Sequence, residues 1–574
     1  MSDMIEKAAA LDLAPEAVHP NERQLEWYDR ELSAFIHFGI NTFSDREWGD
    51  GTESPADFDP TELDCRQWIR TLSDAGFKIA ILTAKHHDGF CLWPSAYTEH
   101  SVKNSPYKNG KGDIVREFTD ACREFGIKAG IYLSPWDRHE KTWGSDAYND
   151  YYAAQLTELM TNYGEIWECW WDGAGSDKAS YDWARWVSIV RERQPNAVIF
   201  GDLGASPYVD VRWVGNEKGY AGDPCWASIH QRALETGIIA ELNSGDPDGE
   251  RFIPAEVDVS IRPGWFYHAD QDVEVRTPYN LTKLWFNSEG RNAGILLNIP
   301  PDRRGLFHEA DVESLRGFRE LLDQNFKTDL ARDAHVTADS FRDALCPPQA
   351  VADGEFETFY APADGSLNPT IELVFDGEIE FNCAAIREVI ELGHKVRGFE
   401  LAASLDGEWK VLLSGKCIGN RYADRFETVR TSRVRLKITD AVDVPLIRSI
   451  ELYKIAEPKA DPDRIGFVGR NLAKSGSTRI ERNPEENAVY IQLGGIRPFN
   501  LFKVKGEGIE GFEVFVFNGT TFERHGEGTG GEGELIYRFG ETVDWSYRLM
   551  IKFKPGDGFS LDGCALKLFC TEDT

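Results

Sequence analysis

No pair of cysteines stands at C-x-x-C spacing, and no apolar run approaches the ~20 residues that a membrane-spanning helix needs. Positive charge is also short: 63 Lys and Arg stand against 96 Asp and Glu, a net charge of −33. Such acidity repels phosphate backbones and anionic lipid surfaces, which excludes a basic nucleic-acid grip and a polybasic membrane anchor. The ten cysteines are scattered from Cys65 to Cys570 without zinc-finger spacing, so they read as buried, reduced thiols. The first 21 residues lack a basic start followed by an apolar stretch, so no secretory signal is visible and a cytoplasmic location is expected. Tryptophan is scarce late in the chain: 15 of the 17 precede residue 300, and only Trp409 and Trp545 follow. Aromatics fill cores and also offer flat faces to ring-shaped ligands, which makes the first 300 residues the expected chemical half.

What is present is a packed globular chain. At ~100–200 residues per unit, 574 residues make roughly three to five folding units. In the first half, Ala34–Phe38, Ile79–Thr83, Lys128–Leu133, Ile166–Trp171, Ala197–Phe200 and Ile295–Ile299 read as strands. Between the second and third, Ile114, Phe118, Ala121, Cys122 and Phe125 share one helical face, with Asp113 placed to cap it and Gly126 to stop it. Cys65, Trp68, Ile69 and Leu72 repeat the pattern one unit earlier. Alternating strand and helix units build parallel sheets, and a (β/α)8-like barrel over roughly 25–325 is the expectation, with its chemistry at the C-terminal strand ends. Beyond about 330 the chain alternates strands with glycine turns. Gly398-Phe399-Glu400-Leu401 matches Gly511-Phe512-Glu513-Val514, and Val434–Ile438 matches Tyr547–Ile551 at the same offset. Two related all-β sandwiches joined near Ala456–Arg464 fit this repeat, with Gly526–Gly533 expected as an exposed loop. The expected division is 1–328, 329–457 and 464–574.

Polar residues gather where barrel strands should end. His37 closes the first strand, and His86, His87 and Asp88 follow the second. Tyr132, Ser134, Trp136 and Asp137 follow the third, Asp172 ends the fourth, and Glu217 sits at a sixth strand end. Three chemistries could use this set. Metal-assisted hydrolysis would recruit His37, His86 and His87, but adjacent histidines on an extended segment point to opposite sides, and no H-E-x-x-H spacing appears. Glycoside hydrolysis needs two carboxyl groups flanking the bond, and Asp172 and Glu217 supply a pair among tryptophans. A non-catalytic sugar-binding protein would keep the aromatics without needing both acids.

His37-Phe38-Gly39, His86-His87-Asp88-Gly89-Phe90, Trp170-Trp171-Asp172-Gly173 and Gly294-Ile295-Leu296-Leu297-Asn298-Ile299 resemble the signatures of family 29 glycoside hydrolases, the α-L-fucosidases. Trp213–Glu217 together with Ser260–His268 resemble the subfamily restricted to α-1,3/4-linked fucose. The resemblance implies a retaining mechanism without metal or cofactor, Asp172 as nucleophile and Glu217 as general acid/base, with Glu256 the competing carboxylate. It implies that His37, His86 and His87 bind the fucose hydroxyls and that Tyr132 and Trp170 line the same pocket. Trp265 is expected beside the C6 methyl and Trp213 against the sugar that carries the fucose. Arg262 is a weaker candidate whose alternative is a structural ion pair. The implied substrates are Lewis-type fucosylated oligosaccharides, with α-1,2-linked fucose a poor one. The tail resembles discoidin-like sandwiches and, with so few tryptophans, is expected to serve structure or subunit contact, leaving a homo-oligomer open.

Overall fold

The computed structural model describes residues 2–175, 180–201, 203–456, 471–518, 521–531, 533–543 and 546–570. Its first half is built on eight parallel strands: β1 (Leu32–Ile36), β2 (Ile79–Lys85), β3 (Lys128–Leu133), β4 (Glu168–Trp171), β5 (Val198–Gly201), β6 (Arg212–Trp213), β7 (Ala255–Ser260) and β8 (Gly294–Asn298). They are ordered β5-β4-β3-β2-β1-β8-β7-β6. A single parallel bridge from Phe200 to Val211 spans β5 and β6, so the barrel is nearly closed. Every residue of β2 is buried, as a parallel strand covered on both faces should be. The helix Ile114–Phe125 starts where the Asp113 carboxylate accepts the Arg116 N–H, and ends at Gly126, whose φ of 70° is the left-handed conformation that glycine adopts without strain. It lays Ile114, Val115, Phe118, Ala121 and Cys122 on the barrel, and Cys65–Asp74 buries Cys65, Trp68, Ile69 and Leu72 beside it. Among the described residues no α-helix joins β5 to β6; a 3-10 turn at Leu203–Ala205 takes its place. No helix among the described residues is long and apolar enough to cross a membrane.

Antiparallel sheets follow the helix Glu309–Asn325. The first sheet has six strands, two of them, Thr370–Glu388 and Tyr422–Ala441, 19 and 20 residues long. Register shifts between Val374 and Ile379 and between Phe381 and Cys383 interrupt their pairing, and the irregular sheet encloses a core of its own. The next unit is a two-sheet sandwich of five and three strands around its own core. The repeated segments pair alike but not in register: Phe399 faces Ile438, whereas Phe512 faces Phe553, two residues beyond its counterpart. The first half of the glycine stretch is a correction, because residues 526–529 belong to the strand Phe522–Thr529, while Gly530, Gly531 and Gly533 lie outside the strands. Gly526 and Gly528 serve as close seats for the Tyr537 and Phe512 rings, where a Cβ would fall 2.2 and 2.3 Å from ring or hydroxyl atoms. The helix Ser2–Ala10 and Leu13 pack on the first sheet unit rather than on the barrel, through Ala8, Leu13, Phe359 and Leu446. All ten cysteines are buried. Trp545 and the junction expected near 456–464, beyond Ala456 itself, lie outside the described residues.

Candidate active site

A cavity of about 880 Å³, its open mouth included, occupies the C-terminal face of the barrel. His37, His86, His87, Tyr132, Trp170, Asp172, Glu217 and Trp265 all line it. The two adjacent histidines reach it together because the chain turns after β2, where the Gly89 N–H bonds to the His86 carbonyl, bringing the rings to 4.0 Å. The opposite-side geometry of an extended strand therefore does not apply.

Each imidazole has one nitrogen tied back. Asn298 donates its amide to Ser260 Oγ at 2.9 Å and the Trp265 carbonyl at 2.8 Å, which leaves its oxygen to accept from His37 Nδ1 at 2.9 Å. Ser134 donates to the Trp136 carbonyl at 2.6 Å, so its oxygen accepts from His87 Nδ1 at 2.8 Å. Both rings thus keep Nε2 as an acceptor, assigned here from the hydrogen-bond network. His86 is reversed: Asn41 Nδ2 donates to its Nδ1 at 3.4 Å, leaving Nε2–H as a donor. Burial holds all three neutral, pushing His37 down to about 3, His87 to about 4, and His86 well below its ordinary value. The pocket so combines imidazole acceptors with an imidazole donor, a set suited to ring hydroxyls. Among the described residues no cluster has the arrangement of a metal site.

Asp172, just past β4, accepts from the Ala174 N–H at 2.8 Å and the Tyr132 hydroxyl at 3.1 Å, and His87 Nε2 lies 3.7 Å away. Glu217 lies in the loop after β6. Burial and the Asp172 charge raise its carboxyl to about 7, against a hydrogen bond from Trp265 that lowers it. One carboxylate anchored by donors and a second held protonated near neutrality is the pattern of an acid and a nucleophile. Glu256 is buried away from the cavity, its Oε1 accepting from Trp170 Nε1 at 2.9 Å. Its carboxyl is also raised to about 7, by burial.

Two further candidates, Trp213 and Arg262, are held by buried carboxylates. Trp213 is half-buried and is not among the lining residues; its indole N–H bonds to Asp258 at 2.8 Å and its ring packs against the barrel core. Asp258 itself lines the cavity, and burial together with the Glu217 charge raises its carboxyl well above the ordinary range. The Arg262 guanidinium is fully buried and held by Asp311 at 2.8–3.0 Å and Asp272 at 2.9 Å, which is the structural alternative.

A family model of α-L-fucosidases matches residues 14–327, more than half of the chain. The chain belongs to the α-L-fucosidase family. It is 40% identical over 479 residues to α-L-fucosidase 1 of Arabidopsis thaliana, covering 81% of this chain and 92% of that protein. A solved chain of Bacteroides thetaiotaomicron, described as a candidate α-L-fucosidase, is 48% identical with a TM-score of 0.76, over 77% of this chain and 99% of that one. A Ruminococcus gnavus family 29 fucosidase solved with fucose is 32% identical with a TM-score of 0.71, over 77% and 96%.

Sequence reasoning missed several residues of this fucosidase-family pocket. Glu47 receives the Trp265 and Phe266 N–H groups at 2.8 and 3.1 Å and His268 Nε2 at 2.7 Å, holding the wall that carries Trp265. Burial would lower His268, but hydrogen bonds to Asp45 and Glu47 outweigh it and raise the imidazole to about 9. Trp48 stands at the rim, edge-on to His87 at 5.6 Å. Neither position carries a periodic or spacing signal. Gln492, Gly495, Ile496 and Tyr547 of the last sandwich also line the cavity.

Proposed function

We propose that this chain is a retaining exo-α-L-fucosidase that releases α-1,3/4-linked fucose from Lewis-type oligosaccharides. The observation that carries the reading is the Glu217 carboxyl, raised to about 7 in the same cavity as Asp172. In this mechanism Asp172 attacks the anomeric carbon while Glu217 gives its proton to the departing oxygen. Forming the fucosyl ester cancels the Asp172 charge that helps hold the proton on Glu217, so the carboxyl stays ionised after giving up its proton and is available as the base that activates water. Tyr132 and the Ala174 N–H steady the carboxylate before attack. The acceptors His37 and His87 and the donor His86 take the fucose hydroxyls, and the Trp265 ring, 5.1 Å from the His37 ring, gives the C6 methyl an apolar wall. Trp170 closes the floor, stacked on Phe200 at 4.1 Å. The α-1,3/4 preference rests on the resemblance carried by Trp213–Glu217 and Ser260–His268.

The test is fucose release from Lewis a trisaccharide beside 2′-fucosyllactose, with and without EDTA. Release from the first alone, unaffected by EDTA, supports the restricted, metal-independent enzyme. Release from both keeps Asp172 and Glu217 but removes the linkage preference. Binding of fucose without release from either would favour a sugar-binding protein.

A further inference from the structure

Part of the pocket wall comes from outside the family domain. The family match ends at residue 327, yet Gln492, Gly495, Ile496 and Tyr547 line the same cavity as Asp172 and Glu217. We propose that the last sandwich supplies the subsite for the sugar that carries the fucose, with Tyr547, Gln492 and Ile496 as its contact residues and a neutral N-acetylhexosamine as the class of ligand. The proposal rests on the fucosidase reading and adds to it which part of the chain recognises the leaving group.

The sandwich is bound to the barrel mouth by buried polar groups, unlike a module carried loosely on a linker. The Arg497 side chain is fully buried and pairs with Glu274 at 2.8 Å and Asp270 at 3.4 Å. Gln271 Nε2 donates to the Gly494 carbonyl at 2.6 Å, and the Ile496 N–H to the Pro263 carbonyl at 2.9 Å. Backbones touch at this seam: a Cβ on Gly495, whose φ is +138°, would fall 1.8 Å from the Pro263 oxygen, and one on Gly264 would fall 2.5 Å from the Gly494 oxygen. The barrel side of the seam is the segment after β7 that carries Trp265. One short stretch of chain therefore faces the pocket through Trp265 and the sandwich through Pro263, Gly264 and Gln271.

The position relative to the chemistry follows from Glu217. A general acid must meet the glycosidic oxygen, which joins fucose to the next sugar, so a group near that acid and outside the barrel borders the leaving group. Tyr547 lines the same cavity as that acid, and burial together with the Glu217 charge raises its hydroxyl. The fucose floor, by contrast, is all barrel: Phe35, His37, Tyr132 and Trp170. An aromatic ring suits the C–H face of a pyranose, the Gln492 amide both donates and accepts, and Ile496 offers an apolar patch for an acetamido methyl. The Bacteroides thetaiotaomicron chain is matched almost whole by 77% of this one, so about a quarter of the present chain has no counterpart there.

The test uses the full chain and two substrates, Lewis a trisaccharide and α-L-fucosyl fluoride, whose leaving group is too small to reach the sandwich. In Tyr547→Ala and Gln492→Ala, the ratio of kcat/KM on the trisaccharide to kcat/KM on the fluoride is expected to fall about tenfold, chiefly through KM. Ile496→Ala serves as the third variant should one of these fail to fold, since activity on the fluoride reports a folded pocket. A fall of less than about fivefold in every folded variant overturns the subsite. A wild-type chain inert toward fucosyl fluoride would instead overturn the fucosidase reading.

Discussion

Replacing Glu217 by Gln removes an acid that the pocket holds protonated close to neutrality, and the size of the effect follows from where that carboxyl titrates. A glutamate ordinarily at 4.5 is raised to about 7, by burial first and by the Asp172 charge second. Bond cleavage needs the protonated form, so activity is retained below about 7 and lost as pH rises through it. At pH 8 about a tenth of such a group still carries its proton, against about one in 3,000 for an unshifted one; the shift is worth about 300-fold in available acid. The assay is kcat/KM against pH on Lewis a trisaccharide and on α-L-fucosyl fluoride. Wild type should show a basic limb near pH 7 on the trisaccharide. Glu217→Gln should abolish that limb and lower the trisaccharide rate by about 10²–10⁴-fold. The loss of the first step on the fluoride should be far smaller, because fluoride departs with little protonation. Glu256 titrates in the same range, so the limb alone does not separate the two carboxyls; the variant does. A Glu217→Gln enzyme that keeps the trisaccharide rate and the limb refutes the assignment and returns the role to Glu256.

Asn298→Ala removes the acceptor that fixes the His37 tautomer, and should weaken inhibition by free fucose about tenfold, near the ~0.5–1.5 kcal/mol of one hydrogen bond; an unchanged inhibition constant would contradict it. Arg262→Ala strands the fully buried Asp311 carboxylate and should cost about 3–5 kcal/mol, seen as a lowered midpoint of denaturation, while a wild-type midpoint would show the pair to be dispensable. Arg497→Ala removes the ion pair to Glu274 at the sandwich seam and should lower the trisaccharide-to-fluoride ratio as Tyr547→Ala does; an undiminished ratio would mean that the seam tolerates the loss.

The barrel was legible where its strands are covered on both faces. Ile79–Lys85 and Lys128–Leu133 are nearly unbroken apolar runs, and the helix between them carries its cap, its stripe and its glycine stop in sequence. Strand ends carried the polar residues of the pocket floor, so His37, Tyr132 and Asp172 could be read from position alone. A two-residue strand such as Arg212–Trp213 has no periodicity to read. That is why the roles of Glu217 and Trp213 leaned on resemblance, and why the bond from the Trp213 indole N–H to Asp258 could not be foreseen. Gly526 and Gly528 read as a loop because a sequence does not reveal that aromatic rings will sit on them. The pocket wall from the last sandwich was invisible for a related reason. Docking between distant units depends on paired surfaces such as Arg497 with Glu274 and Gly495 with Pro263, and each half, seen alone, is an ordinary charge or an ordinary turn.

Azide tests the roles of Asp172 and Glu217 together, because it enters from the face that each carboxylate vacates. With α-L-fucosyl fluoride, Asp172→Gly plus azide should give β-L-fucosyl azide, since the anion takes the nucleophile's place. Glu217→Gly plus azide should give α-L-fucosyl azide, since the anion replaces water on the fucosyl–Asp172 ester. The two anomers separate by proton coupling constants. The same anomer from both variants, or no rescue of either while both remain folded, would contradict a double displacement run by these two carboxylates.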